Sequence, residues 1–424
     1  MKCFVGLGVN LGDRRGMLEK AASALAALPG VSKLRAAPVF QTPALVPPGA
    51  PDSWNLPFLN SAVELEWVGS PQSLLKALKT TEKALGREEA PTWAPRVIDL
   101  DLLAAEGVAV QEKDCRVPHP ALPSRAFVLD PLKHLAPGLR LPSFTIPILE
   151  QSRRLLPRNP LWMAVLNFTP DSFSDGGELA KEGALSKQLD RLERAGVQCY
   201  DLGAESTRPG AAPVSEQEEW KRLEPVLRQL RERHLGRHFA PLISVDTYRP
   251  STAARALEAG AHIINDVSGI SYPGMLPLLR DSRCQYVLMH SLSVPADRAR
   301  VIDSDLDPVK EVLTWAERKL GELDAAGVNL DRVLFDPGIG FGKTPAQSLA
   351  LLRGFDRFFA LPVRLLAGHS RKSFMTAWGS QPVEERDGFS IGASLHLAAR
   401  GAEVLRVHEA HLHATAHQAS QELA

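Results

Sequence analysis

The sequence predicts an α/β chain of two domains: an N-terminal ferredoxin-like α+β sandwich followed by a C-terminal TIM (β/α)8 barrel. Three observations carry this. The chain has 424 residues, beyond the size at which one hydrophobic core stops growing, so two domains are the expected division. Its first part alternates strand-like and helix-like stretches in the order strand, helix, strand, strand, helix, strand. From Leu161 the rhythm changes to short apolar runs, each stopping at a polar or glycine cluster, with helical stretches between them.

Cys3 to Gly8 reads as an extended first strand and Leu18 to Leu28 as a helix. Strands follow around Val39 and at Ala62–Trp67, then a helix from Pro71 to Leu85 and a strand from Val97 to Leu103. After Pro131 the pattern weakens, and a last helix around Ile148–Leu156 runs into Pro157-Arg158-Asn159-Pro160. Two prolines within this stretch make a stiff junction. The domains are therefore placed at 1–156 and 161–424, with 157–160 as a Pro-rich linker. Beyond it, apolar runs end at Leu166-Asn167, Leu202-Gly203, Val245-Asp246, Ile264-Asn265, Met289-His290, Phe335-Asp336, Ala367-Gly368 and Val407-His408. Eight buried parallel strands alternating with helices match a closed barrel, with an open doubly wound sheet as the alternative. In either fold the polar residues just past each strand face the ligand.

Hydrophobic residues at 44% and charged residues at 23% suffice for full cores, which argues against disorder. Lys plus Arg and Asp plus Glu are both 49, so no global field attracts nucleic acid or anionic lipid, and anion sites must be local. Cys3, Cys115, Cys199 and Cys284 lie far apart, giving neither a CxxC pair nor a secreted framework, which fits a reducing cytoplasm. The first apolar run is broken by Asn10, Asp13 and Arg14, so it reads as a strand and not a leader. No segment approaches about 20 uninterrupted apolar residues, so no membrane span is expected.

The stretch Pro95-Arg96-Val97-Ile98-Asp99-Leu100-Asp101-Leu102-Leu103 puts Asp99 and Asp101 two apart on a predicted strand, hence on one face, with Leu100 on the other. Two adjacent carboxylates repel unless cations sit between them, and Mg²⁺ bridging nucleotide phosphates supplies that charge. The plain alternative is a solvated edge strand with alternating acids, although strand interiors disfavour Asp. Cations and aromatics gather nearby: Glu82 and Arg87 flank the preceding helix end, Trp93 and Arg96 precede the pair, and Val117-Pro118-His119 leads to Arg125 and Phe127.

At this constellation the first half resembles 6-hydroxymethyl-7,8-dihydropterin pyrophosphokinase, from Gly6-Leu7-Gly8-Val9-Asn10-Leu11-Gly12 to about Pro137. The most specific stretch is Trp93 through Leu102, followed by Val117-Pro118-His119. The resemblance implies pyrophosphoryl transfer from ATP, as substrate, to the hydroxymethyl of a reduced pterin, with two Mg²⁺ held by Asp99 and Asp101. It places His119, Arg96 and Arg125 against phosphates, and Thr42, Pro43, Leu45, Phe58, Asn60 and Phe127 in the pterin pocket, where the ring would stack between aromatics. Glu82, Arg87 and Trp93 fall among its substrate-binding positions. Two departures are visible. Arg87-Glu88-Glu89-Ala90 is short and acidic where members often carry further basic residues, and the loop Val46-Pro47-Pro48-Gly49-Ala50-Pro51 is long.

Two glycine patterns are rejected as nucleotide loops. Gly6-x-Gly8-x-x-x-Gly12 has its last spacing one too long for a dinucleotide fingerprint, and no acid follows about 20 residues later. Gly342-Lys343-Thr344 mimics the end of a phosphate loop, but Pro337 stands where its first glycine belongs.

In the second half, Asn167-Phe168-Thr169-Pro170-Asp171-Ser172-Phe173-Ser174-Asp175-Gly176-Gly177 and Glu205-Ser206-Thr207-Arg208-Pro209-Gly210-Ala211 follow the first two barrel strands. With Asp246, Asn265-Asp266, Asp336 through Lys343, Ser370-Arg371-Lys372-Ser373 and Arg406-Val407-His408, they resemble dihydropteroate synthase over about Leu161 to Ala410. That activity joins the pterin pyrophosphate to 4-aminobenzoate, the step after the kinase. A pterin edge offers N–H donors beside a carbonyl, so Asp246, Asn265 and Asp336 would accept or share protons while Lys372 donates. A ring with another donor pattern would leave buried groups unpaired. Met289 and Phe341 fall among the substrate-pocket positions. Arg406 and His408 would hold the leaving pyrophosphate, and Asn167 one Mg²⁺. The aminobenzoate carboxylate is expected near Ser373 at a helix start, with Thr207, Arg208, Pro209 and Phe173 closing over the amine.

Ala204, where many members carry glycine, and His369 are departures expected to be tolerated. His408, His411, His413 and His417 lack the acids or cysteines of a zinc site, so a solvated helix is expected for all but His408. His290 is either a pocket wall or a core histidine. Competing readings are a pterin methyltransferase barrel fused to an unrelated kinase, and a degenerate scaffold in one half. The cation set Lys372, Arg406 and His408 favours pyrophosphate chemistry over the former, and clustered charge opposes the latter. A homodimer through the barrel is the expected association.

Overall fold

The computed structural model of the protein describes residues 1–142, 146–156, 158–168, 183–206, 213–297, 299–377, 379 and 381–423. They form two compact units, one of Met1–Asn159 with Gly236–Ala240 and Gln418–Ala424, the other of Pro160–Leu235 and Pro241–His417. Four cysteines are buried and free. No described helix is long and apolar enough to cross a membrane.

The first unit is built on strands β1 (Lys2–Val9), β2 (Val31–Ala36), β3 (Phe40–Thr42), β4 (Phe58–Trp67) and β5 (Asp99–Ala105), with helices α1 (Arg14–Ala26) and α2 (Pro71–Ala84) in the crossovers. The sheet order β2-β4-β1-β5, with β3 also on β4, is the ferredoxin-like arrangement that the element order predicts. All its pairings are antiparallel. The strand predicted around Val39 is β3, which starts one residue later, and a further strand, β2, precedes it along β4. Alternation along β1 sends Cys3, Val5, Leu7 and Val9 to one core with Leu18, Ala22 and Leu25 of α1 and Leu74 and Leu78 of α2. Phe4 goes to the other face, against Leu129, Leu132 and Leu135.

Those three leucines lie on α3 (Ala126–Leu135), which sequence periodicity misses because Pro131 interrupts the helical pattern. Burial of the helix offsets the lost backbone bond. Strands β6 (Val110–Gln111) and β7 (Arg116–Val117) form a separate hairpin, and α4 (Ile148–Ser152) is shorter than predicted. Capping residues fix the helix starts: Asp13 accepts from Gly16 N at 3.0 Å, and Ser70 from Ser73 N at 3.2 Å with Pro71 at the first helical turn.

The second unit is a closed barrel of parallel strands: β8 (Leu161–Asn167), β9 (Cys199–Gly203), β10 (Leu242–Asp246), β11 (Ile263–Asp266), β12 (Gln285–Met289), β13 (Val333–Asp336), β14 (Arg364–Ala367) and β15 (Val404–Val407). Pairing of Val404 with Leu161 closes it, which excludes the open sheet. Leu161, Met163, Cys199, Ile263, Val287, Leu334, Leu366 and Val404 fill one layer of the interior.

The helix Ala410–Glu422 corrects one expectation. His413 is fully buried, with Nδ1 2.7 Å from Ser394 Oγ, and His417 is buried edge-on to Trp162. Only its outer positions are solvated. Histidine is half apolar, and an Ala-rich helix gives a neutral imidazole room to pack. Burial pushes His413 down to about 3.

Candidate active sites

In the first unit, antiparallel register sets Asp101 and Ala62 opposite Gly6, and Asp99 and Asn60 opposite Gly8. These side chains share a face with glycines that have none, so space opens over the middle of the sheet. A Cβ on Gly8 would come within 3.0 Å of Asn60 Oδ1. The cavity is about 180 Å³ and is lined by Thr42, Pro43, Leu45, Phe58, Asn60, Trp93, Arg96, Asp99, Asp101, Arg125 and Phe127, among others. One water needs only about 10–15 Å³ of such space, so the cavity is large enough for a ring system. Asn60 Nδ2 donates to Thr42 Oγ1 at 2.8 Å, which orients the amide.

Asp99 lies between two guanidiniums, Arg96 Nη1 at 2.8 Å and Arg87. Burial works to raise its pKa, but Arg96 and Arg87 outweigh that and hold the carboxyl below its ordinary value. Asp101 goes the other way: burial and the neighbouring Asp99 push it up, against Lys79, His119 and Arg125. His119 is pushed down by burial, with Asp101 opposing. Its Nδ1 accepts from Ala121 N at 3.2 Å, so the neutral ring carries its proton on Nε2.

Glu82, Arg87 and His119 are not part of the cavity lining. Glu82 is buried, and its Oε1 accepts from Leu100 N at 2.7 Å, from Lys79 Nζ at 2.9 Å and from Arg87. It thereby ties β5 and Arg87 together from behind the acids.

In the barrel, positions two apart along a strand share the interior face. Two residues on from the packed interior layer come Asp201, Ser244, Asn265, Met289, Asp336 and Arg406, and one further step on β10 brings Asp246. Arg406 Nε donates to Asp201 Oδ2 at 2.5 Å, and Nη2 to Asp246 Oδ2 at 2.8 Å. Burial penalises the guanidinium charge, but the two carboxylates outweigh it and hold Arg406 protonated. Gly368 marks where the groups converge. A Cβ there would lie 3.4 Å from Asp336 Oδ2 and 3.9 Å from both Lys372 Nζ and Arg406 Cδ.

Lys372 Nζ donates to Ile339 O at 2.5 Å and stands 4.6 Å from the Phe341 ring centroid. Burial pushes it down to about 8, against Asp336. Asp336 itself is raised by burial, and its Oδ1 accepts from Gly338 N at 2.7 Å. Burial lifts Asp246 to about 7, with Asp201, Glu219 and Asp266 adding to the rise and Arg406 opposing it. Met289 packs with Tyr248 and Val267, and Phe341 lies against that cluster. His408 Nδ1 is 3.1 Å from Ser370 Oγ. Asn167 ends β8, and a Cβ on Gly203 would meet its Oδ1 at 2.9 Å.

Ser373 is exposed and opens only a short 3-10 helix, Ser373–Ala377, so the expected helix start is a single tight turn. Phe173, Thr207, Arg208 and Pro209 lie outside the described residues. His290 is a core histidine, 3% exposed, edge-on to Trp315. Asp201 escaped the sequence reading, which looked only past the strand ends. The signal was an acid inside the apolar run Cys199-Tyr200-Asp201-Leu202-Gly203, at a position that shares the interior face with Cys199. It is wholly buried, accepting from Ser244 Oγ at 2.5 Å and Asn265 Nδ2 at 3.2 Å as well as from Arg406.

Residues 4–137 match the 7,8-dihydro-6-hydroxymethylpterin-pyrophosphokinase family, and residues 163–408 the pterin binding enzyme family. A folate synthesis bifunctional protein of Chlamydia trachomatis is 35% identical over 96% of this chain and 94% of its own length. A mitochondrial folate synthesis bifunctional protein of Pisum sativum is 32% identical over 95% of this chain and 86% of its own length. Among solved structures, Xanthomonas albilineans dihydropteroate synthase with 4-aminobenzoic acid is similar at a TM-score of 0.56 and 37% identity, covering 62% of this chain and 93% of that one. Dihydropteroate synthase of Anaplasma phagocytophilum with bound 6-hydroxymethylpterin-monophosphate has a TM-score of 0.56 and 29% identity, over 62% of this chain and 99% of that one.

The fold and the two family matches are those of a pterin-processing transferase. The chain belongs to the family of folate synthesis bifunctional proteins: it pyrophosphorylates 6-hydroxymethyl-7,8-dihydropterin with ATP, then condenses the product with 4-aminobenzoate to 7,8-dihydropteroate.

Proposed function

We propose that the two activities use separate sites, pyrophosphoryl transfer at the Asp99–Asp101 cavity of residues 1–156 and condensation at the barrel mouth of 161–424, with 157–160 as the join. The observation that carries this reading is the convergence of Asp336, Lys372 and Arg406 around Gly368, with Asp246 paired to Arg406. In the first site Phe58 and Phe127 flank the pterin ring and Asn60 and Thr42 read its polar edge. Arg96, Arg125 and His119 bind phosphate oxygens, and Arg87 and Trp93 close the nucleotide side.

Two neighbouring carboxylates on one face are the hard oxygen donors that Mg²⁺ takes, so Asp99 and Asp101 fit two such ions, and the Asn167 amide oxygen fits one in the barrel. Among the described residues no group of three or more His, Cys, Asp or Glu could hold a metal. Each ion would therefore share its shell with substrate phosphate oxygens, as Mg²⁺ commonly does. When bound, Mg²⁺ neutralises phosphate charge during transfer.

In the barrel, Asp246, Asn265 and Asp336 accept from the pterin N–H groups, Lys372 donates to it, and Met289 and Phe341 hold its faces. Arg406 and His408 attract the departing pyrophosphate, for which Arg406 loosens its hold on Asp246. Ser373, with Thr207, Arg208, Pro209 and Phe173, takes the aminobenzoate. The buried free cysteines suit a reducing cytoplasm. A homodimer through the barrel completes the reading, tested by sedimentation.

The deciding experiment separates the two sites. Asp101→Asn should abolish AMP formation while dihydropteroate still forms from supplied pterin pyrophosphate, and Asp246→Asn should slow condensation while AMP still forms. AMP production at the native rate in Asp101→Asn removes the metal assignment.

A further inference from the structure

The tripeptide Gly342-Lys343-Thr344 belongs to no nucleotide loop, and neither site described above uses Lys343. Thr344 is explained as a helix cap, its side chain accepting from Gln347 N while the Gln347 side chain accepts from Thr344 N. Lys343 is buried at 6% exposure, and its amine is enclosed. Nζ lies 2.8 Å from His290 Nδ1, 2.9 Å from Gly338 O and 2.8 Å from Phe341 O, with His290 O further off at 3.4 Å. Burial pushes the Lys343 amine well below its ordinary value, with Asp336 opposing and Lys372 adding to the fall. In either charge state the amine donates to Gly338 O and Phe341 O, and His290 Nδ1 accepts its third hydrogen or donates to its lone pair. Burial and the adjacent Lys343 push that imidazole down to about 2, which keeps it neutral. No donor is left for a ligand.

What Lys343 holds is the segment from Pro337 to Gly342. Gly338, Gly340 and Gly342 have φ of 65°, 80° and 65°, and a Cβ on Gly338 would fall 1.9 Å from His290 O. The backbone is therefore wound closely around the Lys343 amine in a shape that side chains would forbid. Three groups of this segment set the pterin site: Ile339 O accepts from Lys372, the Phe341 ring lies against it, and Gly338 N donates to Asp336.

We infer that Lys343 is a positioning residue for the condensation, a buried amine whose hydrogen bonds wind residues 337–342 into the shape in which Lys372 and Asp336 face the pterin. The inference rests on the barrel mouth being the pterin site. Lys343 touches no substrate and acts through Ile339, Phe341 and Gly338.

The test uses the full chain. Lys343→Met keeps the apolar stem and removes the amine with its hydrogen bonds; displacement of the segment by roughly 1 Å should lower kcat for condensation by about 100-fold. AMP formation in the first unit should not change. Lys343→Gln returns two N–H donors and should recover part of the loss, which a purely space-filling role would not produce. His290→Leu removes one acceptor and should give a smaller loss in the same direction, so the test survives if Lys343→Met does not fold. Lys372→Met, run in parallel, must lose condensation; if it does not, the pterin site is misplaced and the inference falls with it. If Lys372→Met is inactive while folded Lys343→Met works at the native rate, or if Lys343→Gln is no better than Lys343→Met, the positioning role alone is wrong.

Discussion

Replacing Asp246 by asparagine keeps the side-chain shape and removes the charge. In the native site, burial with Asp201, Glu219 and Asp266 nearby lifts this carboxyl from its ordinary 3.8 to about 7, even with Arg406 Nη2 at 2.8 Å. A shift of about three units at 1.36 kcal/mol each places about 4 kcal/mol of penalty on the ionised form. That penalty is recovered when a positive or N–H-rich group of the pterin sits against it, and most fully as positive charge spreads over the ring during loss of pyrophosphate. Loss of a charge-stabilising group of this kind costs about 2–4 kcal/mol, so kcat for condensation should fall by about 30- to 1000-fold. The KM for aminobenzoate should hardly move.

The pH profile gives the same test a second readout. A carboxyl raised to about 7 is ionised above that pH and protonated below it, so the native rate should fall as pH drops through about 7. Lys372, lowered to about 8, loses its proton above that pH, which makes the alkaline limb. Dihydropteroate formation from supplied pterin pyrophosphate should therefore be bell-shaped in the native protein and lack the acid limb in Asp246→Asn. A variant with the native rate, or one that keeps the acid limb, would refute the assignment.

Other outcomes follow from neighbouring groups. Asp201→Asn removes one of two carboxylates on Arg406, so condensation should weaken with AMP formation intact, measured by separate assays of each step; equal loss of both would point to misfolding. Thr344→Ala removes a helix cap and should lower stability by about 1 kcal/mol in urea denaturation, with no change meaning that the capping box contributes nothing. If pyrophosphate leaves before the amine attacks, label should scramble between bridging and non-bridging oxygens of bound pterin pyrophosphate in the presence of an unreactive aminobenzoate analogue. No scrambling, with a rate that tracks amine nucleophilicity, would favour direct displacement.

The barrel was legible because each buried parallel strand is a continuous apolar run closed by a polar residue, and the ends at Asn167, Asp246, Asn265, Asp336 and His408 fall where the runs stop. Asp99 and Asp101 were legible because period two is visible on one strand. What depends on three-dimensional packing was not. Asp201 sits inside a strand, and its importance appears only when Arg406 from a distant strand meets it. The helix α3 hides behind Pro131, and the burial of His413 and His417 depends on Trp162, far away in sequence. Glycine patterns misled in an instructive way: Gly6 and Gly8 form a cavity floor, and the glycines before Lys343 wrap its amine.

The central claim is that one chain performs two consecutive steps at two independent sites linked by a free intermediate. It is tested most directly by mixing. With ATP, 6-hydroxymethyl-7,8-dihydropterin and 4-aminobenzoate supplied, Asp101→Asn alone should make no dihydropteroate and Asp246→Asn alone should make it only at the rate left by its loss of about 30- to 1000-fold. An equimolar mixture of the two variants should make it faster, after a lag while pterin pyrophosphate accumulates. A mixture of folded variants no faster than Asp246→Asn by itself, or dihydropteroate from Asp101→Asn by itself, would contradict the account.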